Sequence, residues 1–283
     1  MEFDAVGPLE DREPSIRAVA LPGGARIAVN VQIAFEAWAE ARSRDGSMNW
    51  GEYSGRLYGP RTGMARLTQT LEDHGFRASV HTSGLVAQRW PHLIEQAAAN
   101  GHEIVGHGWA QDQPMWAMDE AQDREAVRMT SEVIEAVTGR RPVGWSSQAS
   151  RRGDYTVSSL LAEGYLYTRD FRDADLPYVA ASQGEKRLLA MPRTDDINDL
   201  PIFALRGLAP TTFVDYFKRS FDQLYAEGEG TPQVMTCVTH AYIAGKPWGA
   251  SALAECLKHV RAHDRVWIST GREVAEHYLR HLP

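Results

Sequence analysis

Cysteine is scarce. The 283 residues hold two, Cys237 and Cys256, too few for a disulfide framework, and Cys237 falls inside an apolar run where a buried thiol is the default. There is no basic run or patch. Against 37 acidic residues stand 30 basic ones, for a net charge of −7 and a pI near 5.8, a balance that argues against a nucleic-acid or anionic-membrane surface. No apolar stretch approaches the length of a bilayer span. The opening Met1-Glu2-Phe3-Asp4 has neither the basic n-region nor the apolar core of a secretory leader. No Gly-x-Gly-x-x-Gly turn follows a strand, so a dinucleotide fold has no support. These absences lead us to expect a soluble, cytoplasmic protein.

What is present is a regular alternation of short apolar runs and longer amphipathic ones, with no internal repeat and no low-complexity linker. Residues 1–25 are polar and rich in Pro and Gly, and read as an irregular lead-in. From Arg26 to Phe35 the chain is nearly continuously apolar, as suits a strand covered on both faces. Further strands are expected at Ala78–Thr82, Glu103–Val105, Pro142–Trp145, Tyr165–Thr168, Leu188–Met191, Val234–His240 and Val266–Ser269. Helices are expected at Met64–His74, Pro91–Asn100, Asp119–Gly139, Thr156–Gly164, Thr211–Glu227 and Ser251–His263, with a last one to Leu282. Proline at a first turn and glycine at a last turn mark several of their ends. The segment Ala37–Gly63, with Trp38, Trp50, Tyr53, Tyr58 and Arg61, is long enough to be a lid or rim. The pattern predicts an α/β fold, a single distorted (β/α) barrel of about seven to eight parallel strands over residues 26–283.

A parallel barrel builds its site at the C-terminal ends of its strands. Three apolar strands end in an ionisable group there: Glu36, His107 and His240. The other strand-end candidates are Trp109, Trp145, Asp170 and the run Asp195-Asp196-Ile197-Asn198-Asp199. A carboxylate and two histidines can bind a metal, which takes about three protein ligands and an open position for water. Alternatively they act directly, the carboxylate as general base on water and a histidine as acid or oxyanion donor. An apolar strand-end setting would raise the pKa of Glu36. The remaining histidines suit plainer roles. His74, His259, His263, His277 and His281 fall at helix ends or on helix faces, His92 starts a helix, His102 faces the other rim, and His81 is placed to enter the lumen. Arg61 is either a solvated loop charge or a substrate clamp, and each indole also suits core packing.

The residues Gly-His-Glu-Ile-x-x-His at 101–107 resemble the second motif of the polysaccharide deacetylase (nodulation-deacetylase-like, carbohydrate esterase) superfamily. Arg141-Pro142-Val143-Gly144-Trp145 looks like its third motif and Val238-Thr239-His240 like its last. The resemblance is closer still to the branch of metal-independent allantoinases and cyclic imide hydrolases. It is carried by Phe35-Glu36, Gly108-Trp109, Met118-Asp119-Glu120-Ala121-Gln122, Asp175-Leu176-Pro177-Tyr178, Asn198-Asp199 and Val266-Trp267-Ile268. It implies a polysaccharide-deacetylase-like barrel and a hydrolase of non-peptide carbon–nitrogen bonds. Two departures matter. The metal-dependent members have adjacent aspartates and His-x-x-x-His, whereas here Glu36 is followed by Ala37, and Gln111 stands four residues after His107. The allantoinase branch also has a second Glu where Ala37 stands, so the resemblance does not extend to allantoin itself.

We therefore expect ring opening of a small cyclic amide, ureide or imide. Glu36 would activate water, with His107 and His240 as acid or oxyanion partners. Arg61, Asp196 and Asn198 would hold polar substituents, and Trp109 and Trp145 would wall a flat ring. No cofactor is expected. The alternatives are a zinc-dependent N-deacetylase of acetylated sugars, with Glu36, His107 and Gln111 as an altered metal shell, or an inactive binding protein of the same fold. The expected partner is a small molecule, without nucleic acid or membrane, and the assembly a homo-oligomer, dimer or tetramer.

Overall fold

Strand β1, Ile27–Phe35, is buried along its whole length. Its parity decides the rest. Ile27, Val29, Val31, Ile33 and Phe35 join the main apolar cluster beneath the helices, while Asn30, Gln32 and Glu36 take the opposite face by the two-residue strand period. The structure, a computed structural model, describes residues 17–37 and 47–282. The expected lead-in thus lies mostly outside the described residues, as does Trp38.

The elements follow in chain order. After β1 come α1 (Trp50–Arg56), a wide turn at Gly59–Gly63, α2 (Met64–Asp73), β2 (Ala78–Thr82), α3 (Gly84–Arg89), α4 (Pro91–Ala99), β3 (Glu103–Gly106) and α5 (Glu120–Thr138). Then come β4 (Gly144–Trp145), α6 (Thr156–Ala162), β5 (Tyr167–Thr168), β6 (Tyr178–Gln183) and β7 (Lys186–Ala190). The chain finishes with α7 (Pro210–Glu227), β8 (Gln233–His240), α8 (Pro247–Arg261), β9 (Val266–Ile268) and α9 (Gly271–His281). Helix α5 starts on a capping box, Asp119 with Gln122, and stops at Gly139 in the left-handed conformation, φ 71°, so both of its ends are written in local sequence.

The strands form one curled sheet in the order β6-β7-β5-β4-β3-β2-β1-β8, with β9 pairing the start of β1. Every pairing is parallel except that of β6 with β7. Between β7 and β8 the wall is completed by the irregular segment 191–199, where Val238 N donates to Ile197 O at 2.9 Å and Asn198 bridges Val238. The expected distorted barrel is thus present. Sequence pattern missed β6, because an edge strand with one wet face lacks the continuous apolar run of its parallel neighbours. It also missed α1 and α3, too short to show a helical stripe. Helix α8 starts at Pro247 rather than Ser251, with proline in its first turn. Among the described residues no helix is long and apolar enough to cross a membrane.

Candidate active site

Sheet register brings the three strand ends together. Phe35 is level with Thr82, Thr82 with Gly106, and Gly106 with Trp145. The next residue of each chain, Glu36, His107 and Ser146, therefore leaves the sheet at one height. On the other side of β1, Ala34 pairs with His240. The outcome is a tight cluster: Glu36 Oε1 lies 2.9 Å from His107 Nε2 and 3.8 Å from His240 Nε2. The side chains are recessed, 13 % exposed for Glu36 and 5 % for each histidine.

Each imidazole is held from behind. His107 Nδ1 meets the Ser146 carbonyl at 2.8 Å and the Ser146 hydroxyl at 2.8 Å. A carbonyl only accepts, so Nδ1 carries a hydrogen, and the contact of Nε2 with Glu36 then holds one further shared proton. The Ser146 hydroxyl also reaches Nδ1 of His81 at 2.7 Å. Burial, followed by the charges of Arg169, His107 and Arg193, drives the His81 pKa well down. His81 is therefore a neutral support in the lumen. His240 Nδ1 donates to Asp199 Oδ1 at 2.6 Å, and Asp199 Oδ2 accepts from the backbone N–H of His240 and of Ala244.

The electrostatics correct one expectation. Burial alone would raise the Glu36 pKa. The His107 hydrogen bond and the charges of His240, His107 and Arg56 outweigh it and bring the pKa down to about 2. The site is therefore an ionised carboxylate between imidazoles, not an apolar-trapped acid. For His240 burial pulls the pKa down, but the charge and hydrogen bond of Asp199, with Glu36 behind, raise it overall.

Other predicted residues sit differently. Trp145 is fully buried, its Nε1 donating to Ser147 Oγ and its ring edge-on to Tyr165 with centroids 5.6 Å apart. It packs the core and offers no face to a ligand. A Cβ at Gly106 would come 2.7 Å from its ring, so the glycine of β3 makes room for the indole. Asn198 is also buried, and its Oδ1 accepts from Leu200 N, capping a turn. Asp196 is exposed, and so is Arg61 on its turn. Trp109 is half-buried against Gly84, beside a groove with Pro114, Met118 and Met129. Asp170 receives Ser147 N and Oγ at 2.6 and 2.7 Å and shapes the loop after β4.

The residues that sequence reading passed over are Ser146, Arg56 and Tyr242, and Asp199, a strand-end candidate there, was given no role. Arg56 lies 5.3 Å from the Tyr242 ring centroid, and that ring is 5.8 Å from His240. The turn Gly59–Gly63 presses on the chain beside them: a Cβ at Gly63 would fall 1.8 Å from Ala241 O. The second half of the long segment after β1 is therefore a rim wall.

The rim does not supply a zinc shell. Where a second carboxylate would be needed stands Ala37, an aliphatic side chain 2 % exposed. His107 Nε2 already faces Glu36, and Gln111 is neutral and half-buried with its Nε2 unpartnered. Among the described residues, the set of three His, Cys, Asp or Glu side chains with ligand atoms all within 4.8 Å of one another lies elsewhere.

Comparison with known proteins agrees with this architecture. The polysaccharide deacetylase family model matches residues 58–167. A crystal structure of a probable polysaccharide deacetylase from Pseudomonas aeruginosa PAO1 is 30 % identical, with a TM-score of 0.87 over 100 % of this chain and 99 % of that one. The crystal structure of PuuE allantoinase is 28 % identical, with a TM-score of 0.86 over the same shares. A peptidoglycan deacetylase of Helicobacter pylori is 21 % identical over 80 % of this chain and 87 % of its own length. The chain belongs to the polysaccharide deacetylase family.

Proposed function

We propose that the rim opens a small cyclic amide, ureide or imide by direct hydrolysis of a carbon–nitrogen bond. The observation that carries this reading is the Glu36 carboxylate between His107 and His240, each imidazole fixed from behind by Ser146 or Asp199. The substrate carbonyl accepts the Nε2 hydrogen of His107. That takes a hydrogen bond from Glu36 and raises its basicity just as water must be deprotonated. Glu36 takes a proton from water while the oxygen bonds to the carbonyl carbon. His240 gives its Nε2 proton to the ring nitrogen as the C–N bond breaks, and the proton on Glu36 then restores His240. The recessed side chains favour a small flat ring over a polymer strand, and the likeness to PuuE allantoinase points the same way.

The second reading is deacetylation of N-acetylated sugars, favoured by the name of the Helicobacter pylori relative. A turnover screen separates them, with cyclic imides and ureides set beside N-acetylglucosamine oligomers, each with and without chelator. We expect ring opening that survives chelation, and a loss of about 10²–10⁴-fold in kcat for Glu36→Gln, the usual contribution of a general base. Activity confined to acetylated sugars, lost on chelation and restored by zinc, would overturn the proposal.

A further inference from the structure

The outer helices carry chemistry of their own. We propose that α7, the end of α8 and the turn after it form a binding site for a divalent transition cation of the zinc class, made by Asp222, His259 and His263. A ligand atom from each lies within 4.8 Å of the other two. His263 lies just past the end of α8, its ring centroid 5.0 Å from that of His259, and His259 Nε2 is 2.6 Å from Asp222 Oδ1 of α7.

The imidazoles are pre-positioned. His263 Nδ1 donates to the His259 carbonyl at 2.9 Å, which leaves the lone pair of its Nε2 for a metal. The buried Phe221 ring lies edge-on to both, with centroids 5.6 Å from His259 and 5.0 Å from His263. Tyr225 packs on His263 at 5.0 Å and is tied to Asp264 through its hydroxyl. In a tetrahedral shell with bonds of about 2.0–2.1 Å, neighbouring donors sit about 3.3 Å apart. The Asp222–His259 pair needs to open by well under 1 Å (about 0.7 Å) to admit the ion, which replaces the proton now shared there. Nearby, Lys218 is paired with Glu255 at 2.6 Å, so its ammonium charge is offset. Two imidazoles and one carboxylate leave a fourth position for water, the composition preferred by zinc, cobalt and nickel.

Such an ion clamps α7 to α8 and stands apart from the catalytic rim. Metal content of the whole protein therefore says nothing about rim chemistry unless this site is removed first. The test uses the full chain stripped by chelator and titrated with zinc chloride alone by calorimetry, with cobalt(II) absorption as a second readout. We expect one equivalent of zinc, a raised Tm on binding, and a tetrahedral cobalt band. His263→Ala and Asp222→Asn should each weaken zinc about tenfold or more through loss of one ligand, with metal-free Tm and turnover kept. Glu36→Gln should bind zinc like the parent. Zinc binding undiminished in both His263→Ala and Asp222→Asn, or no binding in the parent up to millimolar zinc, overturns the proposal.

Discussion

Asp199 accepts from His240 Nδ1 at 2.6 Å and from the His240 backbone N–H at 2.7 Å. These bonds fix the tautomer and the ring plane together, so Nε2 can face only Glu36 and the substrate space. The raised pKa of His240 keeps the acid form populated above the ordinary histidine value, about 6.5. If His240 is the acid, kcat/KM holds through pH 6.5 and falls at higher pH as Nε2 loses its proton. In Asp199→Asn the falling limb moves to lower pH, so the loss is larger at pH 8 than at pH 6. A limb that stays in place would remove His240 from the acid role. The same shifts set a stability window. The raised His240 pKa contributes stability present below about pH 6.5 and lost as pH climbs through its folded value. The Glu36 pKa, lowered to about 2, contributes stability present above its unfolded value and lost as pH falls toward 2. The urea midpoint followed against pH reads both edges.

At the scale of elements, β4 shows how a short strand serves the core rather than the site. Only Gly144 and Trp145 pair in it, yet the indole fills the space between Gly106 and Tyr165. Removing it leaves a large cavity. Trp145→Ala should cost about 3–5 kcal/mol, the usual penalty for an aromatic-to-alanine change in a core. It is read as a lower urea midpoint, with KM unchanged in the protein that remains folded. A raised KM with stability intact would return Trp145 to the pocket wall. Helix α1 has the opposite character: Trp50 is exposed, and no residue of the helix is fully buried. Its use is to bring Arg56 over Tyr242, where the guanidinium adds to the field that holds Glu36 ionised.

At the scale of the whole molecule, the barrel lumen is polar and cross-braced. Arg169, just past β5, is fully buried. It donates to Asn30 Oδ1 of β1 at 2.6 Å and to Thr236 Oγ1 of β8 at 2.7 Å. One side chain thus ties strands across the lumen, close below the catalytic cluster. Burial lowers its pKa, with Tyr167 and Glu103 pulling the other way. Its loss leaves Asn30 Oδ1 and Thr236 Oγ1 without their buried donor, so Arg169→Ala should destabilise by about 1–3 kcal/mol for each group left unsatisfied. Denaturant unfolding checks this, and a change under about 1 kcal/mol would show that the lumen repacks or hydrates without cost.

Much of this was legible along the chain because local pattern encodes parity. The alternation in β1 marks Ile33 and Phe35 for the helices and Glu36 for the inside. The same alternation in β8 turns His240 inward, and terminal glycines and caps bound the helices. That three strand ends would meet followed from a parallel sheet with its C-terminal ends at one rim. Periodicity says nothing, however, in an irregular stretch. Of the run from Asp195 to Asp199, the sequence pointed to Asp196 and Asn198, and the fold buried Asp199 behind His240. The ionised state of Glu36 was equally invisible, since it depends on charges from His107, His240 and Arg56, which come from three other parts of the chain. His259 and His263 read as ordinary helix histidines until packing set Asp222, 37 residues from His259, against them. A face can be read from spacing, because the backbone repeats. A distance between side chains on separate elements is decided only when those elements pack.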